Sequence, residues 1–182
     1  MSFTKLTTEQ LNRLDINDFR ESTKLPLVVV LDNLRSQHNT GSIFRTADAF
    51  RLEAIHLCGI TAIPPAREIH KTALGATESV QWKYFETTLE SVMQLKDEGY
   101  IIVGIEQTDK SRMIGDFKAE TDKKYAIILG NEVHGISDEA LALCDLCIEI
   151  PQYGTKHSLN VSVSAAVMIW EFFRQTGSLL ES

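Results

Sequence analysis

Arg45 has a side chain suited to binding an anion, because its planar guanidinium keeps its charge at neutral pH and donates several hydrogen bonds. A polar loop precedes it, in which Asn39 or Thr40 is placed to cap a helix, and the start of a helix favours an anion such as phosphate. Apolar residues at helical spacing leave Arg45 on a different side from the buried stripe. Gly41, one turn earlier, would let a ligand approach the backbone. A capped helix with one surface arginine is the alternative interpretation.

A second polar group follows a run of branched apolar residues at 125–129. Gly130 ends this run, and Asn131 and Glu132 come directly after it. Polar side chains at the carboxyl edge of a buried strand are poorly placed for packing but well placed for a site. Glu132 could orient an arginine from elsewhere in the chain through a bidentate pair. The alternative is a glycine-rich turn with exposed polar residues.

Ser158 and Asn160 form the third polar group, after an apolar run that ends at Ile150 and a loop containing Pro and Gly. We expect them to open a helix over 158–174. That helix is apolar nearly all round, and a helix without a polar face needs cover on every side. A subunit interface would supply this cover, and a fully internal position is the alternative.

These three groups lie on a regular alternation of strand and helix patterns. It predicts one α/β domain, with a mostly parallel sheet and helices on both faces, whose strands end at a shared ligand-binding edge. The expected boundaries are 1–25 for an N-terminal helical extension and 26–182 for the domain. The predicted strands are 27–31, 54–58, 80–84, 101–105, 125–129 and 146–150, and the predicted helices are 42–50, 89–97, 137–143 and 158–174.

Composition limits the class of protein. The 182 residues suit a single domain, and the sequence has no apolar stretch long enough to cross a membrane and no signal-peptide core, so we expect a cytoplasmic protein. Cys144 and Cys147 have C-x-x-C spacing but no second pair for a zinc site, and are predicted to be small buried hydrophobes.

A net charge of −7 argues against a simple nucleic-acid binder. However, residues 1–85 hold 10 Lys and Arg against 9 Asp and Glu, whereas the rest hold 8 against 16, so the first half could present a positive face.

Taken together, the three segments resemble the motifs of the SpoU family of SPOUT methyltransferases, which includes TrmH-type 2′-O-methyltransferases. The matches are N-x-G-x-x-x-R-T-A at 39–47, L-G-N-E-x-x-G-I-S at 129–137 and I-P-x-x-G-x-x-x-S-L-N-V-S-V at 150–163. The resemblance covers roughly residues 25–175 with order and spacing intact. It implies a SPOUT-type fold in which the C-terminal part forms a trefoil knot.

The resemblance also implies an activity, which is S-adenosylmethionine-dependent methylation of a ribose 2′-hydroxyl in tRNA or rRNA, without a metal. Arg45 would then activate or orient the hydroxyl beside an RNA phosphate, and Glu132 would hold either Arg45 or the first-motif loop. The other residues implied around the reaction are Asn39, Ser158 and Asn160. The implied cofactor contacts are Gly130, Ile150 and Leu159, together with Glu106 and Gln107 in the loop after the 101–105 strand.

Two kinds of partner follow from the same resemblance. The apolar last helix and part of the first motif resemble the family's homodimer interface, and the other partner is RNA. Arg35, Arg67 and Lys71 are candidates for RNA contact, with a solvated surface as the alternative for the last two. Competing hypotheses are a catalytically silent RNA-binding or assembly module, a base methyltransferase, and a Rossmann-type nucleotide-binding enzyme. The absence of a G-x-G-x-x-G turn after the first strand counts against the last of these.

Overall fold

The computed structural model describes residues 2–7 and 9–180, which form a seven-stranded sheet of order β3-β2-β1-β6-β4-β7-β5. Every strand pair is parallel, which confirms the predicted sheet type. The strands are β1 Leu25–Asp32, β2 Leu52–Cys58, β3 Trp82–Phe85, β4 Tyr100–Ile105, β5 Arg112–Met113, β6 Lys124–Leu129 and β7 Leu146–Glu149. The α-helices are α1 Ile16–Glu21, α2 Gln37–Ala49, α3 Arg67–Ala73, α4 Ala76–Ser79, α5 Thr88–Asp97, α6 Asp138–Leu141 and α7 Val161–Thr176. Three short 3-10 helices span Glu9–Leu11, Ile114–Asp116 and Gly177–Leu180.

Strand β1 shows why this sequence folds as a sheet covered on both faces. Leu27, Val29 and Leu31 join a core that includes α2 and α7, whereas Val28 and Val30 join a second core with α5 and α6. A strand buried on both faces needs apolar side chains at every position, not only at alternate ones. The predicted helical layers on both faces are therefore confirmed.

The first-motif helix begins earlier than its sequence predicts. It starts at Gln37, and Ser36 caps it by accepting a hydrogen bond from the Asn39 amide at 3.3 Å, so neither Asn39 nor Thr40 is the cap. The expectation that Gly41 admits a ligand is also wrong. A Cβ on Gly41 would lie 2.5 Å from the Ile69 carbonyl, because α2 packs closely on α3 at this point.

Helix α7 begins at Val161, three residues after the predicted start, and its apolar surface divides into two sides. Ala165, Met168 and Phe172 are among its buried residues, whereas Val163 and Trp170 are 47% and 51% exposed. The helix is therefore not fully internal in this chain, and an apolar side faces outward.

Other features of the fold bear on the sequence predictions. Cys144 and Cys147 are half-buried, and burial raises the pKa of the Cys144 thiol to about 12.

In the described part of the chain, no helix is long and apolar enough to cross a membrane, and no group of three or more His, Cys, Asp and Glu is arranged to hold a metal. The division at 25/26 and the trefoil knot stay predictions; Met1, Thr8, Glu181 and Ser182 of the predicted extension and domain lie outside the described residues.

Candidate active site

A cavity of about 580 Å³ lies at the carboxyl ends of β6, β4 and β7. Parallel strands end at one edge of a sheet, so the loops that follow them converge there. Loop 130–135 forms one wall, and the segment 157–161 forms another. The cavity lining includes the five residues predicted to contact the cofactor, which are Glu106, Gln107, Gly130, Ile150 and Leu159.

Glu132 joins the loop after β6 to the loop after β1. Its two carboxylate oxygens accept hydrogen bonds from the backbone amides of Arg35 at 3.0 Å and Ser36 at 3.1 Å, and from the Asn39 side-chain amide at 3.1 Å. Partial burial opposes ionisation of Glu132, but these donors outweigh it and lower the pKa of its carboxyl group. Glu132 thus holds the first-motif loop, one of the two roles expected for it. Among residues 2–7 and 9–180, no arginine side chain forms the predicted bidentate pair with Glu132.

Asn39 connects all three motifs. While its Nδ2 donates to Glu132, its Oδ1 accepts a hydrogen bond of 3.1 Å from Nδ2 of Asn160. The Asn160 Oδ1 in turn accepts from the Ser162 amide at 2.9 Å and so caps α7. A continuous chain of side-chain hydrogen bonds therefore runs from Glu132 through Asn39 to the start of α7.

Ser158 lies in the exposed segment before α7 and lines the cavity together with Asn160. The prediction that it opens the helix is wrong, because Asn160 caps α7 and the helix begins one residue later. Its hydroxyl is nevertheless beside the space in which a ligand would lie.

Arg45 is exposed on α2, six residues after Asn39 and roughly 9 Å further along the helix axis. It lines a second groove, of about 600 Å³, between α2, α3 and α7. Lys71, Thr72 and Ala166 are among the other lining residues. Arg45 therefore stands beside the cavity-lining motifs and not inside the cavity itself.

The predicted RNA contacts lie on this side of the molecule in two groups. Arg67 and Lys71 are exposed on α3, one turn apart, and the Lys71 ammonium pairs with Glu68 at 2.7 Å. Arg35 is exposed in the loop after β1, where only its backbone amide contacts Glu132 among the contacts described. Arg35 and Arg67 thus leave their side chains open to an anionic partner, whereas the Lys71 ammonium already contacts a carboxylate.

Asp32 is a buried polar residue next to the site that the sequence predictions missed. It ends β1, is only 1% exposed, and accepts a hydrogen bond of 2.7 Å from the backbone amide of Ser137. The available signal was a carboxylate at the end of an otherwise apolar strand, since burying such a group requires hydrogen-bond donors around it.

Comparison with known proteins agrees with this arrangement. Residues 26–170 match the SpoU rRNA Methylase family. A protein of Staphylococcus aureus (strain MSSA476), assigned by name to the TrmH family of tRNA/rRNA methyltransferases, is 33% identical over 157 residues, which is 86% of this chain and 62% of the relative. The chain therefore spans less than two thirds of the length of that relative.

Solved structures share the fold. The A. aeolicus TrmH/SpoU tRNA modifying enzyme superposes with a TM-score of 0.77 at 26% identity, over 88% of this chain and 80% of that enzyme. An AdoMet-bound rRNA methyltransferase from Sinorhizobium meliloti gives 0.76 at 25% identity, over 85% and 61% of the two chains. An RNA 2′-O ribose methyltransferase gives 0.74 at 25% identity, over 85% and 58%. With four fifths of its length matched to one family and the motif residues gathered at one sheet edge, the chain belongs to the SpoU rRNA Methylase family.

Proposed function

We propose that this protein transfers a methyl group from S-adenosylmethionine to a ribose 2′-hydroxyl of tRNA or rRNA in the cytoplasm. The observation that carries the proposal is the hydrogen-bond chain Glu132–Asn39–Asn160, which unites the three motifs at the cavity. Family membership supports RNA methylation, and the neighbours that bind AdoMet or methylate the ribose 2′-oxygen of RNA support the cofactor and the acceptor atom.

The cavity fits a ligand of the size of S-adenosylmethionine. Its volume of about 580 Å³ lies within the roughly 300–1,000 Å³ of small-molecule sites. Gly130 keeps one wall compact, since a Cβ there would lie 2.1 Å from the Gly135 backbone. Gly130, Ile150 and Leu159 would hold the cofactor, together with Glu106 and Gln107. The chemistry that S-adenosylmethionine supplies when bound is an electrophilic methyl group on sulfur.

The chain's own task is to orient the acceptor ribose and manage its hydroxyl proton. A free hydroxyl is a weak nucleophile, so holding it in line supplies much of the acceleration and its proton must be accepted or shared. Arg45 would orient the hydroxyl together with an RNA phosphate, or act as the base once that phosphate is bound. Ser158 and Asn160 would complete the hydrogen-bond frame around the ribose.

The protein would work as a homodimer, with RNA bound across α3 and the nearby cavity. The exposed Val163 and Trp170 give α7 an outward apolar side that a second copy would cover. Arg67 and Lys71 on α3, with Arg35 near the cavity, would contact phosphates of the RNA. Positive side chains from both protomers would then offset the acidic character of the chain.

The decisive experiment incubates the purified protein with methyl-labelled S-adenosylmethionine and bulk RNA, and digests the product to nucleosides for mass spectrometry. We expect a 2′-O-methylated nucleoside, which should also disappear from cellular RNA when the protein is removed. Detection of a methylated base instead of a methylated ribose would show that the protein modifies a base, and would overturn the proposed acceptor atom. Cofactor and RNA binding without any methyl transfer would favour the silent-module alternative and overturn the proposal.

A further inference from the structure

Asp32 is a buried carboxylate whose contacts do not include a cation. Its Oδ1 accepts hydrogen bonds from Oγ1 of Thr88 at 2.5 Å and Nδ2 of Asn33 at 2.8 Å, and its Oδ2 accepts from the Ser137 amide at 2.7 Å. No ion pair formed by residues 2–7 and 9–180 involves it. The three donors therefore replace the water that the carboxylate loses on burial.

Glu106 is the counterpart of Asp32 on the other side of β6. It directly follows β4, and its Oε2 accepts a hydrogen bond of 3.1 Å from the Ile136 amide, next to Ser137. Since β6 lies between β1 and β4, the loop that leaves β6 is held from both neighbouring strands. Two carboxylates thus bind two consecutive amides, Ile136 and Ser137.

Loop 130–137 is held in this way, and its residues 130–135 form a wall of the cavity. Asn131 and Gly135 exchange two backbone hydrogen bonds of 2.9 Å, which fold the loop back on itself. The Asn131 side chain also donates to the carbonyl of Asn33 at 2.7 Å, so the start of the loop is joined to the residue after Asp32. Both the beginning and the end of the loop are therefore fixed to the exit of β1.

A buried carboxylate is a costly way to end a strand, because an aliphatic side chain there would bury without desolvation cost. Departures from ordinary core composition concentrate at functional sites. Across 105 residues of sequence, Asp32 accepts a hydrogen bond from Ser137, two residues after the part of the loop that lines the cavity.

We propose that Asp32 is a positioning residue, which with Glu106 fixes loop 130–137. The held loop gives the cavity its shape and presents Glu132 to the first-motif loop. The consequence for cofactor affinity rests on the proposed function, whereas the ordering of the loop does not.

The test compares Asp32→Asn with Thr88→Val by amide hydrogen exchange of the full chain. Asparagine has only one side-chain oxygen, so it cannot accept hydrogen bonds from all three donors. Asp32→Asn should therefore speed amide hydrogen exchange in 130–137 by about tenfold or more, without speeding exchange in the central strands. Thr88→Val removes a donor to the same carboxylate but leaves the Ser137 contact, so loop exchange should stay near the wild-type rate. Equal effects of the two variants on the loop, or none, would overturn the proposal.

A second variant and a ligand complete the test. Glu106→Gln should speed exchange of Ile136 in the same direction, and it decides the question if Asp32→Asn does not fold; unchanged loop exchange would then overturn the proposal. Calorimetry with S-adenosylhomocysteine should show Kd raised about tenfold by Asp32→Asn and less than about twofold by Thr88→Val. If the wild type does not bind this ligand, the proposed function fails, while the exchange result still decides the role of Asp32.

Discussion

The Asn39 side chain donates a 3.1 Å hydrogen bond to the Glu132 carboxylate across 93 residues of sequence. This contact fixes the direction of the whole chain of bonds. An ionised carboxylate only accepts, so Asn39 must turn its amide nitrogen toward Glu132 and its oxygen toward Asn160. The ionised Glu132, whose pKa is lowered further by these donors, thereby orders groups in all three motifs.

Glu132→Gln should lower turnover while the protein stays folded. One carboxylate oxygen becomes an amide nitrogen, which places a donor against a donor of Arg35, Ser36 or Asn39 and loosens the first-motif loop. A misplacement of about 1 Å can cost about 100-fold in rate, and we expect a loss of that order in single-turnover methyl transfer. Glu139→Gln, at an exposed acid on α6, is the matched control. Equal turnover by the two variants would remove Glu132 from the mechanism.

Arg45→Lys should lose nearly all turnover, because a point charge cannot reproduce the planar fork that orients a hydroxyl and a phosphate together. The loss should be at least about 100-fold in single-turnover methyl transfer, with S-adenosylhomocysteine affinity unchanged because Arg45 lies outside the cavity. Arg20→Lys, on α1, serves as the control. Near-normal turnover by Arg45→Lys would contradict the role proposed for this residue.

The sequence predicted the architecture because its signals are local. The apolar run at 27–31 indicates a strand that is buried on both faces. Parallel strands then bring the groups at Asn39, Glu132 and Asn160 to the carboxyl edge of the sheet. The sequence does not predict which atoms make contact at that edge. Glu132 reaches backbone amides instead of an arginine, and backbone donors leave no residue-type signal.

The errors in the sequence predictions have the same origin. The sequence predicts an opening for a ligand at Gly41, but the close packing of α3 on α2 explains the missing side chain. Asp32 is recognisable only as a carboxylate at the end of an apolar strand, and the sequence does not indicate that its partner amide lies 105 residues away. The two-residue strand β5 has no apolar run, because both of its residues are exposed at the sheet edge.

Lys71→Ala should weaken RNA binding without changing affinity for S-adenosylhomocysteine. A lysine that contacts one phosphate contributes about one unit to the slope of log K against log salt, so the variant should show a slope smaller by roughly that amount. The pairing of Lys71 with Glu68 reduces its effect on affinity at low salt. Lys123→Ala is the control, since Lys123 lies just before β6, at the amino end of that central strand. An unchanged salt slope would favour the solvated-surface alternative.

Trp170→Glu should convert the protein to a monomer in sedimentation velocity. The indole is half exposed and packs on Phe50 and Phe173, with ring centroids 5.9 and 5.7 Å apart, so it extends an apolar surface that a second copy would bury. A charge at the centre of that surface would have to be desolvated on association. Lys83→Glu makes the same kind of charge change on the other face of the sheet, where Lys83 contacts Gln94 of α5. A wild-type protein that remains monomeric at high concentration would contradict the homodimer.

Acid should destabilise the protein through His56, which is buried against Phe85 and hydrogen-bonded to Ser91 at 2.8 Å. Burial, together with the nearby charge of Lys83, lowers the pKa of His56 from 6.5 to about 4. Between these two values the unfolded chain binds the proton and the folded chain does not. The stabilisation due to neutral His56 is therefore complete above pH 6.5 and is lost as the pH falls toward 4.

At pH 5 the linkage amounts to about 2 kcal/mol of unfolding free energy relative to pH 7.5. Urea denaturation of the wild type at the two pH values should show this decrease, added to that of other acid-sensitive groups. His56→Gln keeps a hydrogen-bonding side chain for Ser91 but does not titrate, so its decrease should be smaller by about that amount. Titration of the His56 imidazole by NMR gives an independent measurement, because a pKa near 6.5 in the folded protein would leave no linkage to account for.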